Sequence, residues 1–174
     1  MPSTAAMAYI TLHEPLPVEE ENAAWVRLVD GIGFRYRWAT EGLRAEDENF
    51  KPGPDSMTTR QLMEHIDGLI GRVCQSFSVL SVAKLPATPT LEELRMHTLH
   101  QILELSVRLA SLTEADMTIR TISGVSILYA INGPLADSLT HIGQLNAWRR
   151  LNGNPGPKVN LFLGKPEAPA EKKP

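Results

Sequence analysis

The sequence has a single cysteine, Cys74, which excludes an internal disulfide and fits a reducing compartment. Long hydrophobic runs are missing: Ile127 to Ile131 is the longest late stretch, far short of the ~18 apolar residues that span a bilayer. Met1 to Ile10 lacks a positive n-region and a sustained apolar run, so no secretory signal is expected. There is no basic block, and the formal charge is −3, which gives little support to a phosphate-tracking surface for nucleic acid. A phosphate loop, a nucleophile elbow and a CxxC pair are absent too, leaving the better-marked enzyme classes without support. The expectation is a cytoplasmic protein with neither nucleic acid nor membrane as partner.

What is present points to one helical domain. The 174 residues are 43% hydrophobic, and a chain of this size buries about two thirds of its unfolded surface. Residues 1–17, with Pro2, Pro15 and Pro17, read as an extended lead-in, residues 18–163 as the domain, and the proline-rich, charged residues 164–174 as a disordered tail. Glu19, Glu20 and Glu21 suit the first turn of a first helix, where carboxylates meet the positive end of the macrodipole. Trp25, Val29, Ile32, Tyr36, Ala39 and Leu43 then recur within about 40° of one direction. Gly31 and Gly33 lie inside this stripe with no strand before them, so they read as close-packing positions and not as a phosphate loop.

After a loop from Gly42 to Ser56, Thr58 and Gln61 form a capping-box pattern that starts a second helix, with Leu62, Ile66, Leu69, Val73, Phe77 and Leu80 inward. His65 sits at the border of that stripe. Cys74 is half a rotation away from His65 and is assigned to packing. A third helix runs from Thr90 to Leu112 with Leu91, Leu94, Thr98, Ile102, Leu105, Leu109 and Leu112 inward. Glu93, His97, His100 and Glu104 on it have metal-like spacing, but both histidines turn away from the buried direction, so a solvated face is expected. From Thr113 to Gly133 the helical period disappears, and Met117 to Leu128 reads as a short extended segment.

Asn132, Gly133 and Pro134 give a cap followed by proline at the first position of a fourth helix, which runs to Leu151 with Gly153 available as a left-handed cap. Val159 to Leu163 reads as an apolar strap. On the fourth helix Asp137, His141, Gln144 and Trp148 fall at i, i+4, i+7 and i+11, along a stripe about 60° wide. A carboxylate and an imidazole one turn apart, with Cβ atoms about 6 Å from each other, are close enough to share an ion. Leu135, Leu139, Ile142 and Leu145 form a separate apolar arc beside them, which makes this stripe, including Gln144 and Trp148, a candidate pocket lining.

Four amphipathic helices in one domain imply an all-α helical bundle. Phe34-Arg35 with Thr40-Glu41-Gly42-Leu43, then Phe50-Lys51-Pro52-Gly53, Glu64-His65-Ile66 and Thr140-His141-Ile142-Gly143-Gln144-Leu145 resemble the DinB/YfiT-like proteins over residues 20–152. The resemblance implies a four-helix bundle of up-down-down-up order, and a homodimer is expected besides. It also implies a divalent metal, held in that family by a histidine of the second helix and two histidines of the fourth. Carried over by position, the ligands are His65, Asp137 and His141, where Asp137 replaces the commoner histidine, as in the mycothiol-dependent maleylpyruvate isomerase branch. Two imidazoles and a carboxylate suit Zn, Ni, Fe or Mn, and three protein ligands with open positions are the pattern of a catalytic site. Some members of the family transfer low-molecular-weight thiols, so the expected partner is a small-molecule substrate or thiol. The alternative from another class is a bundle that acts by binding or dimerisation without chemistry.

Overall fold

Threonine starts three of the helices in this computed structural model, which describes residues 4–79 and 81–167. The hydroxyls of Thr58, Thr90 and Thr113 accept the backbone N–H of Gln61, Glu93 and Asp116 at 3.2, 3.1 and 3.2 Å. The side chains of those three residues reach back to the threonine N–H at 2.9, 2.7 and 3.0 Å. Each box satisfies two donors that the helix itself leaves orphaned. The helices so started are α3 (Thr59–Ser76), α4 (Leu91–Ala110) and the short α5 (Glu114–Thr118). With α1 (Thr4–Met7), α2 (Ala23–Thr40) and α6 (Ala136–Leu151) they make a mostly helical protein with four long helices among the described residues. Two small hairpins complete it, β1 (Thr121–Ile122) with β2 (Val125–Ser126) and β3 (Val159–Asn160) with β4 (Lys165–Pro166).

The helices' directions follow from hydrogen bonds between them. Asn22, before α2, donates to the Leu112 carbonyl at 2.7 Å, while Glu41, after α2, is paired with Arg95 near the start of α4. These two helices are antiparallel. Asp67 of α3 meets Thr98 of α4 at 2.8 Å, and farther along Arg108 donates to the Phe77 carbonyl at 3.3 Å, so α3 and α4 are parallel. At the other side Arg149 of α6 donates to the carbonyls of Ala39 and Glu41 at 3.0 and 2.7 Å, both at the end of α2. Hence α2 and α6 run one way, α3 and α4 the other. Both α2 and α3 pack against α4 and α6.

The interior is filled from all four long helices: Ile32, Phe34, Tyr36, Leu62, Ile66, Ile102, Leu105 and Leu145 are essentially inaccessible to solvent. Most of the inward positions expected from periodicity are buried, including Leu94, Thr98, Leu109 and Leu112; Leu80 lies outside the described residues. Gly33 is a close-packing position: a Cβ there would come within 2.5 Å of the Tyr9 ring. Tyr9 thereby joins the core, and its hydroxyl donates to Asp30 at 3.2 Å. The lead-in is therefore not simply extended, since it carries α1 and buries Ala5 and Tyr9.

Several other expectations shift. Glu19 to Glu21 precede α2, whose first residue is Ala23 behind a left-handed Asn22 (φ 63°). Glu21 instead accepts the Glu114 N–H at 2.8 Å, so it serves the start of α5. The extended segment expected over 117–128 shrinks to β1 and β2, closed by Ser123 and Gly124 with φ of 51° and 82°, as a tight hairpin demands. Pro134 does not open a regular helix. It lies in a widened turn, Ile131–Leu135, where Gly133 leaves helical geometry (φ −88°, ψ −114°), and the regular part of α6 starts at Ala136. Gly153 (φ +68°) ends α6 as expected.

The strap reduces to Val159, which packs on the core, while Phe162 is 90% exposed. Leu12 donates its N–H to the Gly164 carbonyl at 2.8 Å, so the chain remains ordered through the hairpin where a disordered tail is expected to begin; residues 168–174 lie outside the described residues. Among the described residues, no helix is long and apolar enough to cross a membrane.

Candidate metal centre

Helix α3 presents His65 and the first two turns of α6 present Asp137 and His141. Asp137 Oδ1 lies 3.2 Å from His141 Nε2, and its other oxygen, Oδ2, lies 3.5 Å from His65 Nε2. The two imidazoles meet edge to face, with ring centroids 4.7 Å apart and planes at 85°. All three offer a ligand atom, and those atoms lie within 4.8 Å of one another.

The two carboxylate–imidazole separations have the size a shared ion would need, while the full 4.8 Å spread would have to narrow for all three to bind one tetrahedral ion. Ligand atoms about 2.0–2.2 Å from one tetrahedral ion lie roughly 3.3–3.6 Å from each other. Both carboxylate–imidazole distances are already of that size. The three side chains are half-buried, so they keep an opening to solvent while one side is walled by the bundle. Gln144 adds orientation: its Oε1 lies 2.8 Å from His141 Nδ1. With Nδ1–H donating to that oxygen, the Nε2 lone pair is left free on the side of Asp137. Gln144 is exposed and acts through His141, whereas Trp148, farther along the same stripe, is buried in the core.

A cavity of about 590 Å³ opens beside His65, with Lys51, Ser56, Gln61 and Glu64 on its walls. It is polar and charged of both signs. The loop that supplies Lys51 and Ser56 is anchored by Asp47, whose carboxylate accepts from Asn152 and Asn154 at 2.7 and 2.6 Å and from Arg44 at 3.0 Å. Burial pushes the Asp47 pKa up, but these donors outweigh it and hold the carboxyl well below the usual range.

The histidines of α4 behave differently from each other. His100 faces solvent with Glu104 3.5 Å away, as its place on the helix implies. His97 is not on a solvated face: its Nδ1 is 2.7 Å from Asp67 Oδ1, an oxygen that also accepts from Thr98 at 2.8 Å and Gln101 at 3.1 Å. The buried Tyr36 hydroxyl extends this network to Thr98 at 3.3 Å. Glu93 caps α4, so the metal-like spacing on α4 serves three separate tasks. Asp67 and Gln101 escape a periodicity reading; the available signal is Thr98, an inward polar residue that needs a buried partner. Cys74 packs in the core, and its thiol is pushed up to about 12 by burial and by the Asp67 charge, which leaves it unreactive at neutral pH.

Comparison with protein-family models, with curated proteins and with solved structures finds no match to this chain.

Proposed function

We propose that His65, Asp137 and His141 hold one divalent metal ion, Zn, Ni, Fe or Mn, and that the protein is a metal-dependent enzyme acting on a small molecule, with transfer of a low-molecular-weight thiol as the reaction. The observation that carries this reading is the pair of carboxylate–imidazole distances, 3.2 and 3.5 Å, joining two helices far apart in sequence. The DinB-like reading draws further support from helix directions, since α2 and α6 oppose α3 and α4, an up-down-down-up order, and from the order of the motifs along the chain. A divalent cation at such a site lowers the pKa of a thiol and keeps a nucleophile available at neutral pH.

The residues of the chain supply the rest. His65 and His141 would donate to the ion through nitrogen, Asp137 would offset part of its charge, and Gln144 would orient the His141 ring. Lys51, Gln61 and Glu64 in the adjoining cavity give an electrophilic substrate or the polar body of a thiol both donors and acceptors. A reducing cytoplasm suits both free thiols and the lone Cys74.

A second reading, a non-catalytic binding or homodimerisation module, is favoured by the consecutive Leu128 and Tyr129, which are 59% and 58% exposed, with Ile131 close by. A thiol panel (mycothiol, bacillithiol, glutathione) assayed against electrophiles with and without chelator separates the two. Conjugation that needs both thiol and metal supports the enzyme, and inactivity across the panel, together with dimers that dissociate when Leu128 is made charged, supports the module.

A further inference from the structure

A second cavity, of about 1220 Å³, lies between α2 and α6 and is closed at one side by residues 155–162. It is separate from the metal centre. On α6 its wall is made by Leu139, Ile142, Gly143, Asn146 and Arg150, which at about 100° per residue lie on the face opposite Asp137 and His141.

The composition of its walls is one-sided. Arg27, Arg35, Arg150 and Lys158 line it, without any aspartate or glutamate, and none of the four has a carboxylate partner among the described residues. Arg27 and Arg35 are spent only on the carbonyls of His13 and Gly31, at 2.9 and 3.2 Å. Trp38 belongs to the same wall, and its indole N–H is buried without an acceptor. A buried donor left unpaired costs stability unless something accepts from it. Apart from Asn146, the side chains of Leu28, Leu139, Ile142 and Val159 make the rest of the wall largely apolar, and it is open at Gly143, where an added Cβ would meet nothing within 4 Å.

We propose that the α2–α6 cleft binds a small amphipathic carboxylate, its charged end toward Arg35, Arg150 and Lys158 and its hydrocarbon body along Ile142, Leu139 and Leu28, toward the start of α2 where Arg27 lies. Cations without counter-charge toward the end of α2 select an anion, and the apolar floor selects one with a hydrophobic body, so neither a simple inorganic anion nor a neutral lipid satisfies both halves. Two exposed cations, Arg150 and Lys158, are free to close on the carboxylate from the rim.

Dodecanoate below its micellar concentration, titrated into the full chain by calorimetry, tests this, with dodecanol and acetate as the uncharged and tailless controls. Saturable binding near one per chain is expected, with dodecanol and acetate each at least about tenfold weaker. Arg150→Glu with Lys158→Glu should abolish it, and Gly143→Leu should block it by filling the open floor while improving helix propensity, so that loss of fold does not explain the result. His141→Ala should bind dodecanoate as the wild type does, which separates this site from the metal centre. The proposal is overturned if dodecanoate does not saturate, if dodecanol binds equally, if both cleft variants bind unchanged, or if His141→Ala abolishes binding.

Discussion

Nε2 of His141 stands 3.2 Å from Oδ1 of Asp137, one turn earlier on the same helix, while the other carboxylate oxygen turns to His65 on a different helix. A carboxylate in the first turn of α6 gains about 0.3–1 kcal/mol from the helix dipole alone, without metal. The two roles differ in their consequences. If Asp137 is a ligand, Asp137→Ala weakens metal binding severely, and Asp137→His, which offers a nitrogen at the same i, i+4 spacing, retains it. As a dipole partner only, Asp137→Asn costs at most about 1 kcal/mol and leaves metal affinity untouched. Metal titrations of the three variants decide between them, and equal affinity in wild type and Asp137→Ala excludes the ligand role.

The Asp67 network is structural in this account. Asp67→Ala removes the acceptor that Thr98, Gln101 and His97 share, leaving Thr98 with the Leu94 carbonyl and Gln101 with His97, and a cost of about 1–3 kcal/mol in urea unfolding is expected from the lost buried bonds. Metal binding in this variant should equal that of wild type. A variant that unfolds normally but loses metal would put Asp67 in the site instead.

Asp47 gives a pH dependence of known sign. Its folded pKa is depressed, so its contribution is fully present above the unfolded value of about 3.9 and is lost as pH falls through the folded value. Stability should therefore decline below pH ~4 in wild type. Asp47→Asn places an amide N–H₂ among the donors of Arg44, Asn152 and Asn154, so it should be less stable at neutral pH and show a flatter acid limb. Parallel acid limbs in the two proteins would contradict this assignment.

Two helical glycines should respond oppositely to alanine. Gly143→Ala meets open space and should gain up to about 1 kcal/mol from helix propensity. Gly33→Ala drives a methyl into the Tyr9 ring and should lose about 1–3 kcal/mol despite the same propensity gain. Thermal melts of both variants check the pair, and a stabilised Gly33→Ala would mean that Tyr9 leaves its place at no cost.

Much of the bundle was readable because its helices are marked twice, by apolar period and by caps. Thr58 with Gln61 and the stripe from Leu62 to Phe77 define α3 locally, and no distant contact is needed to see them. Asp137 and His141 were likewise legible, since i, i+4 spacing on one helix fixes their separation. Bringing His65 to them depends on how α3 lies against α6, and spacing within one helix carries no information on that. The same limit hid Asp67, whose partners Thr98 and Gln101 are on another helix, and placed His97 in solvent when only its own helix was considered. Glu19 to Glu21 misled for a different reason: carboxylates ahead of an apolar run mark a helix start, but a left-handed Asn22 delays α2, and Glu21 serves α5 through a contact distant in sequence. Gly133 broke the expected start at Pro134 because its conformation there is non-helical.

Elemental analysis of purified protein, before and after chelation and reconstitution with Zn, Ni, Fe or Mn, reads the bound ion itself. About one divalent metal per chain is expected in wild type, with most of it lost in His65→Ala and in His141→Ala and none lost in His100→Ala. Wild-type protein that stays metal-free after reconstitution, or His65→Ala and His141→Ala variants that hold as much metal as wild type, would contradict the metal centre.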